Sequence, residues 1–297
     1  MSSRFIKHGE NKHSSRLVKA VEDITKEWYS QNPEDLGVFG ASATFSCGGV
    51  KIRSSELDLE FTVSFDDNAE ANEIEVIVYN LTDDTINKFK HGTACSIEAG
   101  YRKDTGVIFR GIVDRVKTMY DNADKITTIK CVDDLSERTI TTKTYDSTAN
   151  SEYILKDLLK QTQMPYTCTP QKRTTYDTTQ TVSGNLMDNI HKYAEDCGVS
   201  VYVNKGHIYA RYIKDGDNIS FTVSENTGMI GSPSAFEEEQ QDGTTVNGYN
   251  VQMLLQHRIT TASIVNLSSR IANGQYRVRS GKHIFNSSEA ITEIEVI

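Results

Sequence analysis

A mainly β protein with an α+β middle is the fold class that this 297-residue sequence predicts, and three observations carry it. Residues 56–65 (ELDLEFTVSF) alternate apolar and polar side chains without a break, the signature of a half-buried strand. Apolar residues at sustained helical spacing, past residue 37, are confined to 151–162 and 184–197. Strand-like alternation then returns and runs to the last residue, Ile297.

Residues 1–13 are polar and basic, with Arg4, Lys7 and Lys12 against Glu10. A helix is expected over about 14–29, where Leu17, Ala20, Val21, Ile24 and Trp28 recur at helical spacing and Ser14 or Ser15 offers a cap. This segment, 1–37, reads either as an arm that docks on a neighbouring subunit or as a helix packed on its own domain.

From 38 to 136 the pattern is that of a small β-barrel or sandwich carrying one short helix. Leu57, Leu59, Phe61, Val63 and Phe65 form one face of its first alternating strand, and residues 73–79 (EIEVIVY) form a second. Thr82 is a suitable N-cap for the helix, with Asp83 and Asp84 at the positive end of the helix dipole. Strands are expected at about 94–101, 106–120 and 125–133, the last two joined by a turn at Asp121-Asn122.

Residues 137–222 form the α+β middle module. Its two helices present Ile154, Leu155, Leu158 and Leu159, and Leu186, Ile190, Tyr193, Ala194 and Cys197, with Gly198 stopping the second. A hairpin turning at Asn204-Lys205-Gly206 follows. Residues 223–297 read as a second, shorter β-domain, with alternation at Tyr249, Val251 and Met253, a turn at Asn273-Gly274, and a terminal strand through Ile291, Ile294 and Val296.

Composition narrows the function classes. The chain is 37% hydrophobic and 25% charged, as a packed globular protein is. Its net charge of −9 argues against a dedicated nucleic-acid grip, which needs cations to displace phosphate counterions. Five widely spaced cysteines (Cys47, Cys95, Cys131, Cys168, Cys197) with no CxxC make neither a disulfide framework nor a zinc site. Cys95 and Cys131 lie in apolar strands, where a small buried thiol is the ordinary occupant. The N-terminus has no signal-peptide core, and no run approaches a membrane span. Synthesis and folding in a bacterial cytoplasm, with no membrane anchor, is the expectation.

No catalytic residue, metal ligand set or cofactor motif stands out: GxSxG, HExxH, the Walker loop and GxGxxG are all missing. Asp133-Asp134 reads as a strand-end turn, and Asp215-Gly216-Asp217 lacks the downstream ligands of a calcium loop. His191, in a helix, and His283, in a strand, read as structural or surface residues. Charge distribution says more. Residues 54–87 hold ten acids and no lysine or arginine, and residues 215–257 hold seven acids, Glu237-Glu238-Glu239 among them, again without a cation. If the two early strands pair, Glu56, Asp58, Glu60, Glu73 and Glu75 share one face. That face is either plainly solvated, its charges screened by salt and water, or a negative wall that meets cations on another subunit or borders a channel.

The order of motifs resembles a known family. An extended strand leads to Val78-Tyr79-Asn80-Leu81, a short helix, the Ala99-Gly100-Tyr101 strand and Phe109-Arg110-Gly111. This is similar to the first domain of the central baseplate hub proteins of phage tails and phage-tail-like bacteriocins. NGYNVQMLL and, further on, Asn273-Gly274-Gln275-Tyr276-Arg277-Val278 before His283 resemble the last domain of that family, and the two helices its middle region. The resemblance covers about 38–297 and implies two tail-tube-like β-barrel domains flanking the helix-containing module. It also implies a homotrimer that adapts a hexameric tail tube protein to a trimeric spike or tail-tip protein, amid other baseplate proteins. Tape-measure protein and DNA would be passing cargo only. The place implied is a virion or tail-like particle, and the protein would be no enzyme. The rival readings are another tail ring component, such as a distal tail or tube protein with six copies per tail, a wall-degrading tip enzyme, and a receptor- or glycan-binding module.

Overall fold

The computed structural model describes residues 40–67, 72–133, 139–212, 215–217, 220–239 and 245–297. The arm and helix expected over 1–37 lie outside the described residues. The first β region comprises β1 (Ala41–Cys47), β2 (Val50–Arg53), β3 (Leu59–Phe65) and β4 (Glu73–Tyr79), then helix α1 (Asp83–Ile86). β5 (Ala94–Tyr101), β6 (Asp104–Asp121) and β7 (Asp124–Val132) complete it. Thr82 caps α1 by accepting from the Thr85 backbone N–H, as its sequence position predicts.

The middle segment holds β8 (Thr139–Tyr145), α2 (Ser151–Gln161), β9 (Tyr166–Cys168), β10 (Gln180–Asn185), α3 (Leu186–Asp196), β11 (Ser200–Asn204) and β12 (His207–Arg211). Asn150 and Asn185 cap the two helices, whose apolar faces meet in a core with Tyr145, Val182, Val201, Ile208 and Ala210. Gly198 ends α3 at φ +67°. The last β region comprises β13 (Ser220–Ser224), β14 (Met229–Glu239), β15 (Thr245–Leu254), β16 (Ile264–Ser268), β17 (Asn273–Phe285) and β18 (Ala290–Val296).

One sheet runs through both β regions, in the order β14-β15-β18-β17-β3-β4-β7-β6-β5-β1-β2, with β16 also on β17 and β13 on β16. The seam is the antiparallel pair β3–β17, where Phe61 faces Phe285 and Val63 faces His283. Across it, Phe61 and Phe285 stack at 5.3 Å and the Tyr101 hydroxyl donates to the Ala290 carbonyl at 2.7 Å. Both apolar cores lie on one face of this sheet. One is built on Phe45, Val76, Ile97 and Ile129, the other on Val251, Val265, Val278 and Val296.

Two local expectations are corrected. β3 begins at Leu59, because Ser54–Glu56 form a turn in which the Glu56 and Leu57 N–H groups donate to the Arg53 carbonyl. The Asn273-Gly274 turn is instead the start of β17; the reversal lies at Ser269–Ala272, where the Ser269 hydroxyl accepts from the Ile271 and Ala272 N–H groups.

The segment from Gln256 to Ser263 ties the three parts together. Lys205, at the β11–β12 turn, donates to the His257 carbonyl at 2.8 Å, and Thr260 donates to the Asn204 side chain at 3.0 Å. Arg258 pairs with Asp104 of β6 at 2.6 Å, and Thr261 donates to the Asp66 carbonyl. Burial beside that segment lowers the Lys205 ammonium to about 8.

Candidate functional site on the polar face of the sheet

Period-2 alternation puts every second side chain of the long sheet on the face away from the cores. On β3 and β4 these are Glu60, Thr62, Ser64, Glu73, Glu75, Ile77 and Tyr79, each exposed or half-buried. Glu60, Glu73 and Glu75 thus share one face as their spacing predicts, and Asp58 lies exposed just before β3. Glu56 does not join them: it sits in the turn and pairs with Arg53 at 2.7 Å. The carboxylates of Glu60, Asp58 and Asp124, together with burial as the larger cause, raise the Tyr79 phenol above its ordinary value.

The acids are not alone on that face. In register, β7 sets Lys130 opposite Glu75, and the two pair at 3.0 Å. β6 sets Arg115 opposite Lys130 and Lys117 opposite Thr128, both exposed. Beyond β3, Lys282 of β17 pairs with Glu293 of β18 at 2.9 Å, and Arg279 pairs with Glu295 at 3.1 Å and with Glu238. A shallow concavity on this half is lined by Ser64, Asn250, Gln252, Ser280, Lys282 and Glu293. The face is therefore a mosaic of hydroxyls, amides and opposed charges. The cations that temper the acidic segment come from strands far along the chain, where a linear reading does not find them.

The family-motif positions do not converge on a pocket; they hold the fold. Asn80 adopts φ +58° and its side-chain oxygen accepts from the Lys125 N–H at 3.0 Å, clipping the end of β4 to β7. Leu81 is buried in the first core. A Cβ on Gly100 would collide with the Asp104 carbonyl, and one on Gly111 with the Val132 carbonyl and the Phe109 ring. Gly274 has φ +135°, and Tyr276 packs edge-on against Tyr249 with centroids 5.5 Å apart. His283 is fully buried beside Phe65, its Nδ1 2.8 Å from the Thr292 hydroxyl, and desolvation lowers it to about 3. It is a neutral core histidine.

Other candidates resolve in the same way. Asp133 is buried and accepts from the Asn72 N–H at 2.8 Å and the Asn72 amide at 3.0 Å. Desolvation raises its carboxyl to about 6, so at the end of β7 it is a buried pin; Asp134 lies outside the described residues. Asp217 pairs with Arg211 at 2.5 Å. Cys47, Cys95 and Cys131 are buried together in the first core, where Cys47 faces Cys95 across β1–β5, and burial pushes the Cys47 thiol up to about 12. Among the described residues, no group of three or more His, Cys, Asp or Glu is arranged to hold a metal ion. No helix among them is long and apolar enough to cross a membrane.

The family model for baseplate hub gp41 matches residues 42–288, most of the chain and both β regions. The chain belongs to the baseplate hub gp41 family. No curated protein matches it by sequence. Solved structures share the fold of this hub at very low identity. A 43 kDa tail protein of prophage MuSo2 from Shewanella oneidensis is 10% identical with a TM-score of 0.61, over 86% of this chain and 97% of that one. A tail protein from Neisseria meningitidis MC58 is 7% identical with a TM-score of 0.63, over 86% and 96%. An E. coli type VI secretion component, described as similar to the T4 tail proteins gp27 and gp5, is 7% identical with a TM-score of 0.58, over 85% and 76%. By its family the chain is a structural baseplate protein, a component of a virion or tail-like particle, and the solved structures share its fold.

Proposed function

We propose that this hub is a non-enzymatic homotrimer that adapts a hexameric tail tube to a central spike or tip, with the polar face of its sheet bordering the channel. The observation that carries the reading is the β3–β17 seam. It fuses two β regions of one chain into one sheet, so three copies related by a cyclic axis offer six β regions to a sixfold tube. Association with a spike is supported by a solved structure of similar fold, a Francisella PdpA–VgrG complex with a TM-score of 0.57 and 8% identity, over 94% of this chain and 62% of that one.

On this reading Asp58, Glu60, Glu73 and Glu75 face passing tape-measure protein and DNA. Lys130 and the cations of β6 change how such a wall works. Carboxylates alone repel phosphate at long range, whereas ion pairs and hydroxyls among them reduce the net negative charge that cargo meets, and salt screens the remainder. The test is quantitative mass spectrometry of purified tail particles. The reading predicts three copies of this chain against rings of six tube subunits. Six copies would favour another ring component.

A further inference from the structure

We propose that Cys47 and Cys95 are an oxidisable pair, closing into a cross-strand disulfide when the protein meets a small disulfide oxidant such as glutathione disulfide outside a reducing cytoplasm. The inference stands apart from the trimeric reading and concerns a modification site within one chain. A component of a virion or tail-like particle passes into surroundings where disulfides persist.

Four observations carry it. First, the register sets the two residues directly opposite each other, as the last pair of β1 with β5. The turn at Gly48-Gly49, with φ of +56° and +80°, reverses the chain immediately after Cys47 and fixes it there.

Second, the pair is of the non-hydrogen-bonded kind. The Arg102 N–H donates to the Gly40 carbonyl at 2.7 Å, so residues 41, 43, 45 and 47 alternate into non-hydrogen-bonded positions toward β5. The Ala43 carbonyl agrees, accepting from the Ser54 N–H on the opposite, β2 side at 2.9 Å. In such a pair the Cα atoms lie ~4.5 Å apart and the side chains are closest. That falls within the ~4.4–6.8 Å that a disulfide spans.

Third, geometry sets the neighbouring thiol aside. Cys131 packs in the same core, yet β6 runs between β5 and β7, with Cys95 facing Gly111 and Cys131 facing Val113. Two strand spacings, ~9.6 Å, exceed the ~7 Å limit for a bond without backbone movement. Fourth, the pair can be reached. Cys47 and Cys95 line a shallow concavity of about 400 Å³ with Gly48, Gly49, Lys51 and Arg110. Its two cations favour the approach of an anionic disulfide.

In the first step the thiolate of one cysteine attacks a sulfur of the oxidant, forming a mixed disulfide and releasing one glutathione thiolate. The second cysteine's thiolate then displaces the other glutathione. The two cysteines lose two protons and two electrons between them, and the oxidant is reduced to two thiols. Burial that pushes the Cys47 thiol up to about 12 makes the step slow at neutral pH. The link ties the outer β1–β2 hairpin to β5 and closes a loop that contains the seam strand β3, which limits the freedom of the unfolded chain.

The test is to incubate the native chain with excess glutathione disulfide at mildly alkaline pH, then unfold it in N-ethylmaleimide, digest it and read the peptides by mass spectrometry. The proposal predicts a peptide pair joined through Cys47 and Cys95, with Cys131 recovered as an alkylated thiol. Cys131→Ser is expected to keep that link and Cys47→Ser to lose it. An aliquot oxidised while unfolded in urea, where every thiol is open to the reagent, shows that the oxidant is active. With that control consumed, recovery of native Cys47 and Cys95 as alkylated thiols or glutathione adducts overturns the pairing. A link from Cys95 to Cys131 overturns it equally.

Discussion

Asp133 and His283 are buried groups whose protons move stability in opposite directions. The Asp133 carboxyl is raised by desolvation to about 6, so its contribution is present below the unfolded value and lost as pH rises through about 6. The His283 imidazole is lowered by desolvation to about 3, so its contribution is present above the unfolded value and lost as pH falls through about 3. Each unit is worth about 1.4 kcal/mol, which bounds the two effects at about 3 and about 5 kcal/mol. Urea unfolding midpoints between pH 4.5 and 6 read the balance. Asp133→Asn is expected to make stability climb more steeply with pH than in the parent chain, and His283→Gln is expected to flatten or invert the slope. Three parallel curves would contradict the assigned burial. Sequence left His283 as structural or surface and Asp133-Asp134 as a strand-end turn; the burial of Asp133 was not legible, because its Asn72 partner comes from a loop before another strand.

At the scale of elements, alternation and capping were readable and cross-strand partners were not. The apolar stripe of β3, the Thr82 cap and the Gly198 stop follow from local chemistry, and each stands where its residues put it. Register is a different matter. Glu75 looked like part of an uninterrupted acidic run until β7 brought Lys130 beside it. Glu56 left the face because the Arg53 turn captured it. These facts rank substitutions. Lys130→Ala removes an exposed ion pair, worth no more than about 1 kcal/mol. Gly111→Val drives a side chain into the Val132 carbonyl and the Phe109 ring, and overpacking of this kind costs about 1–3 kcal/mol or more. Chemical denaturation of the two variants is expected to separate them in that order. A Lys130→Ala loss as large as that of Gly111→Val would mean the polar face is structural rather than a solvated wall.

Across the whole molecule, the decisive feature is that two β regions far apart in sequence become one sheet through β3 and β17. Both stretches carry strand alternation, yet nothing in either names the other as partner. Only the order of family motifs pointed to the two acting together. That seam leaves one polar face, which the proposed trimer turns toward the channel. The most direct measurement is a cryo-EM reconstruction of the intact tail tip. The account predicts a threefold ring of this chain between tube and spike, with Glu60 and Glu75 on the channel wall. A ring whose polar sheet face points away from the channel would contradict it.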